Sequence, residues 1–156
     1  MTNKRLGVLV ATSSLLVSCT LREFTTDISR QSQGLTAVDH CFALRKDAYV
    51  LMSPARVTID RPRPTELDVF GYISIEPNAA QDPRQKFKLT AGTHVAVKRV
   101  LSHYYPMVGH VIKPYIRIEG QFDNRYIDSS TIFELTTGSE PVLPIPAYLG
   151  PCNSET

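Results

Sequence analysis

From Leu67 to Glu76 the chain alternates without a break, Leu67, Val69, Gly71, Ile73 and Ile75 falling between Asp68, Phe70, Tyr72, Ser74 and Glu76. A side-chain period of two is that of a strand with one face buried. Shorter alternations place Val95 and Val97 against His94, Ala96 and Lys98, and Ile116, Ile118 and Gly120 against Tyr115, Arg117 and Glu119. Leu67, Val69, Ile73, Ile75, Val95, Val97, Ile116 and Ile118 are therefore expected to point inward. Further strand candidates cover Ala48 to Met52, Arg56 to Ile59, Phe87 to Leu89 and Thr131 to Leu135. The punctuation between them consists of turn-formers: Pro62 and Pro64, then Pro77, Asn78, Asp82 and Pro83, then Ala91-Gly92. Past Cys41 no window carries a 3.6-residue period, so the pattern predicts an all-β domain over residues 41–140, a small antiparallel barrel or sandwich. Pro141, Pro144, Pro146 and Pro151 mark residues 141–156 as an extended, proline-rich tail.

The N-terminus follows a different rule. Lys4 and Arg5 precede a charge-free run from Leu6 to Val17, the layout of a secretory signal peptide. The run is shorter than the roughly 20 residues that a membrane-crossing helix needs. It ends in Leu16-Val17-Ser18-Cys19, which resembles the lipobox of bacterial lipoproteins. That resemblance implies cleavage after Ser18, a diacylglyceryl thioether and further acylation on Cys19, and, with Thr20 rather than aspartate next, sorting to the outer membrane. Residues 1–18 would then be a removed signal, and the protein would be held on the membrane by lipid. Residues 19–40, polar and poor in large apolar side chains, are expected to be a flexible tether. A second resemblance is local: Leu89, Gly92, Thr93, Val95 and Val97 are similar to the turn-then-strand element of bacterial Src-homology-3-like barrels, which implies a barrel of that kind.

Loss of Lys4 and Arg5 with the signal takes the 17 basic residues to 15, against 15 acidic ones. A domain without basic excess is not built for a polyanion, so no nucleic-acid partner is expected.

Candidate chemistry is sparse. His40, His94, His103 and His110 lack the close spacing of a zinc site, no serine sits in a Gly-Xaa-Ser-Xaa-Gly elbow, and no glycine-rich phosphate loop occurs. The expectation is a non-catalytic protein with no metal and no cofactor. The richest local composition is His103, Tyr104, Tyr105, Met107, His110, Lys113 and Tyr115, a hairpin-like stretch crowded with the residue types that dominate protein contacts. It is the candidate partner-binding rim, the partner being an envelope protein or a cell-wall component that a periplasm-facing lipoprotein would hold. The alternative is an inhibitor of a toxin enzyme, an immunity lipoprotein. Cys41 and Cys152 remain once Cys19 is spent on lipid. In a secreted chain they are expected to be bonded, pinning the tail to the first strand.

Overall fold

The computed structural model describes residues 23–31, 34, 36–60, 64–118, 121–122, 125–134 and 141–152. Residues 1–18, the expected signal sequence, and Cys19 lie outside these residues. Nine strands form one sheet: β1 Phe24–Asp27, β2 Cys41–Leu44, β3 Ala48–Ile59, β4 Thr65–Ser74, β5 Gln85–Leu89, β6 His94–Tyr105, β7 Gly109–Arg117, β8 Tyr126–Asp128 and β9 Leu149–Pro151. Their order is β5-β3-β4-β8-β7-β6-β2-β9, and β1 lies on the same side of β6 as β2 but at its other end. The class is all-β, as the alternation predicts.

Several details differ from the sequence expectation. The sheet is open rather than a closed barrel, and β4 pairs β8 in parallel. The segments 48–52 and 56–59 are one strand, interrupted by a bulge between Met52 and Ala55. Pro54 falls inside that bulge, where its missing N–H costs no ladder bond. The stretch from Thr131 begins in a 3₁₀ turn, Ser130–Ile132, instead of a strand. The expected tether also carries structure: Phe24–Asp27 adds to β6, while Ile28, Ser29 and Ala37 are buried. The fold therefore starts ahead of Cys41. The tail contributes β9 and the buried Val142 and Leu149.

Bulges give the sheet two cores. Val97, Ile116, Ile127 and Gly71 are successive cross-strand partners and share one face, whereas one row on Arg99, Tyr115, Asp128 and Tyr72 share the other. A bulge in β6 between Val97 and Arg99 and another in β4 between Val69 and Gly71 insert one residue each, and one residue flips the alternation. On the first face Val50, Ile73, Leu89, Val95, Val97, Ile116, Ile127, Phe133 and Leu149 form the larger core. On the second, Ile59, Leu67, Val69, Leu101, Tyr115 and Tyr126 form a smaller one. All eight residues expected to face inward do so, Ile75 and Ile118 as partly buried neighbours of the larger core. At the β4 bulge only glycine fits, because a Cβ on Gly71 would stand 1.9 Å from the Leu51 carbonyl oxygen.

The second face curls far enough to bring β1 back to the end of β3. The Asp60 N–H donates to the Thr25 carbonyl at 2.8 Å, and the Thr25 N–H donates to Asp60 Oδ2 at 3.0 Å. Beside this closure the smaller core stays open as a cleft.

Candidate functional site

The cleft has a volume of about 500 Å³. Its walls include Thr25 from β1, Ala55, Arg56 and Val57 from β3, Val69, Gly71 and Tyr72 from β4, His103 and Tyr105 from β6, Lys113 and Tyr115 from β7, and Asp128 from β8, with Glu23 and Asp60 at the ends of β1 and β3. The β6 bulge creates this arrangement: it turns Leu101, His103 and Tyr105 to the same face as Lys113 and Tyr115.

His103 is the chemical centre. Its Nδ1 lies 3.1 Å from the Thr25 hydroxyl and its Nε2 3.0 Å from the Tyr115 hydroxyl, and it is only 8% exposed. Burial, reinforced by the charge of Lys113, pushes its pKa down to about 4, and burial followed by the charge of Asp128 pushes the Tyr115 phenol above its ordinary range. At neutral pH both groups carry no charge. A neutral imidazole has one N–H and one bare nitrogen, so one hydroxyl donates to the ring and the other accepts from it. The accepting hydroxyl keeps its own proton to offer elsewhere. Lys113 Nζ sits 3.4 Å from Asp128 Oδ2, and Asp128 also accepts from the Ser130 N–H at 2.9 Å and from the Ser130 hydroxyl. The walls thus combine neutral hydroxyl chemistry, aromatic faces and the Lys113–Asp128 ion pair, with the charged groups of Glu23, Arg56 and Asp60 beside them.

The seven residues expected to form one rim divide between the two faces. His103, Tyr105, Lys113 and Tyr115 line the cleft. Tyr104 and His110 face the other way and meet Phe24, whose ring stacks on Tyr104 at 4.7 Å between centroids and meets His110 edge-on at 5.8 Å. His110 Nδ1 also lies 2.9 Å from the Ser102 hydroxyl. Met107 joins neither group. It stands at the β6–β7 turn, 97% exposed, beside Val108 at 67%. Thr25, Tyr72 and Asp128 belong to the cleft but not to the sequence expectation; Thr25 sits in the presumed tether, and no motif marks any of them.

Cys41 and Cys152 form a disulfide with their α-carbons 5.5 Å apart, as the compartment argument anticipates. His94 is close by: its ring and the two sulfurs lie within 4.8 Å of one another. The topology explains this, since Cys41 opposes Ala96 and Ala43 opposes His94, which puts Cys41 and His94 on one face of the β2–β6 pair. Metal-binding cysteines must be thiolates, and the disulfide holds both sulfurs in another bond.

No protein-family model matches the chain, and neither a curated protein nor a solved structure does.

Proposed function

We propose that this chain is a lipid-anchored lipoprotein of the bacterial outer membrane, facing the periplasm, whose β domain holds an envelope protein or a cell-wall component without catalysing a reaction. The address rests on the sequence: the charged start, the apolar run and Leu16-Val17-Ser18-Cys19. The Cys41–Cys152 disulfide is consistent with an oxidising compartment. The binding role rests on one observation, the cleft between β1, β3 and the β6–β7 hairpin, with uncharged hydroxyls and the Tyr72 and Tyr105 rings on its walls. Such walls suit a polar ligand surface with apolar patches.

Two measurements test the two halves separately. Intact mass of the mature chain should show lipid on Cys19, and Cys19→Ala should leave the protein unlipidated and released from the envelope. Affinity capture from solubilised envelopes should retrieve the same partner with the wild-type chain and lose it with Tyr105→Ala. A partner retained equally by that variant overturns the cleft as the binding site. An inhibitor role is the second reading, favoured by the β6–β7 turn, where Met107 and Val108 are exposed apolar side chains that a partner's pocket could take up. It requires the captured partner to be an enzyme whose activity the domain abolishes.

A further inference from the structure

The path of the chain into the fold and the exposed β6–β7 turn lie at the same end of the molecule. β1 is antiparallel to β6, and its first residue, Phe24, opposes Tyr104, while Tyr105 opposes Gly109 to close the hairpin. β1 therefore has its N-terminal end on the side of the turn. Phe24 lies five positions after Cys19, a span of at most about 17 Å at full extension. Met107 stands three residues beyond Tyr104, within about 10 Å of it at strand rise. An anchor on Cys19 thus cannot hold the fold without bringing this end to the bilayer.

What this end presents is apolar. Met107 and Val108 are the most exposed large hydrophobic side chains among the described residues, and Phe24, at the same end, is 38% exposed. Phe24, Tyr104 and His110 make a ring cluster just behind the turn. Aromatic rings of this kind settle at the level of lipid headgroups, with apolar side chains reaching past them. The backbone adds an independent observation. Met107 has φ 76°, a left-handed conformation that glycine adopts without steric cost and methionine does not. A glycine at this position would give a less strained turn, yet the chain carries a long, flexible, apolar side chain there, pointed at solvent.

We propose that the β6–β7 turn is a second membrane contact, Met107 and Val108 dipping into the periplasm-facing leaflet of the bilayer that holds the anchor, so that the cleft is carried at a fixed height and orientation. This rests on the lipid-anchored reading above. Two or three acyl chains already hold the protein on the bilayer, so the second contact acts on orientation: a rigid contact removes the freedom of a loose tether.

The chain contains no tryptophan, so a single introduced tryptophan reports its own surroundings without background. Met107→Trp and Thr90→Trp, the latter exposed in the turn that precedes β6 at its far end, are each prepared in the full chain. Both are reconstituted by their anchor into vesicles of phosphatidylethanolamine and phosphatidylglycerol with brominated acyl chains. Emission from Met107→Trp should shift to the blue and be quenched by the bromines, while emission from Thr90→Trp should match that in detergent-free buffer. Met107→Trp emission that is no more quenched than that of Thr90→Trp, in a chain whose mass shows lipid on Cys19, overturns the second contact and leaves the anchored reading standing. A mature chain without lipid on Cys19 overturns the anchored reading and this inference together.

Discussion

His103 Nε2 and the Tyr115 hydroxyl lie 3.0 Å apart across the β6–β7 pair, both buried, with the Thr25 hydroxyl on the other side of the ring. The two hydroxyls could accept from both N–H groups of a protonated ring, but burial and the charge of Lys113 disfavour the positive charge that it would carry. Its pKa in the fold is about 4, against an ordinary value of 6.5. The unfolded chain therefore binds more protons than the folded one between these values, and stability rises with pH through that window. The contribution is fully present above pH 6.5 and is lost as pH falls toward 4, on the order of 2 kcal/mol. Urea unfolding at pH 7 and at pH 4.5 should show this loss in the wild type, and His103→Gln should flatten the difference. An equal loss in that variant would place the pH sensitivity elsewhere.

The Cys41–Cys152 bond spans 111 positions of sequence. Closing a loop of that size restricts the unfolded chain by about 4 to 5 kcal/mol in the chain-entropy treatment. Cys41→Ser with Cys152→Ser should lower unfolding stability by up to that amount. β9, with three residues on the outer edge of β2, should be the first element to lose amide protection. Hydrogen exchange across Leu149–Pro151 checks the second part.

At the β4 bulge, Gly71→Ala should cost about 2 to 4 kcal/mol, because the new methyl group would have to displace the backbone of β3. Ile73→Ala, two residues on and fully buried in the larger core, should cost a similar 2 to 5 kcal/mol through cavity formation. The two are separable. The glycine variant alone should disturb amide shifts along Leu51 and Met52.

Met107→Gly should stabilise the isolated fold, by about 0.5 to 1 kcal/mol, because it relieves a left-handed non-glycine residue at a turn with no packing to lose. Thermal unfolding in solution measures this. A destabilised variant would mean that the Met107 side chain makes a contact within the fold.

The inward-facing residues were legible because each strand keeps its alternation within one side of a bulge: Leu67 with Val69, Val95 with Val97, Ile116 with Ile118. What could not be read was that the two runs lie on different faces. Val97 and Leu101 have the spacing of residues on one side of a strand, and the bulge at Lys98 sends them to different cores. A bulge has no fixed sequence signature apart from Pro54, and even that proline was readable as a strand end. The same cause scattered the candidate rim. His103, Tyr104 and Tyr105 look like a continuous aromatic patch in sequence, whereas a strand must send Tyr104 to the opposite face. β1 was missed for a different reason: four residues, two of them threonine, carry too few apolar positions to show a period, and it is the long β6 that gives them a partner.

The disulfide makes a covalent ring of residues 41–152, and β1 lies outside it. Any pull that reaches the fold from its N-terminal side acts first on β1, along the strand axis and against four paired residues of β6. Such a load strains those pairs together, in shear, instead of unzipping them in turn. Should they yield, the chain pays out only as far as Cys41, where the ring begins. Force beyond that point is divided between the two arms of the ring, and β1 serves as the mechanical fuse of the domain while the cleft residues from β3, β4, β6, β7 and β8 all lie inside the protected loop.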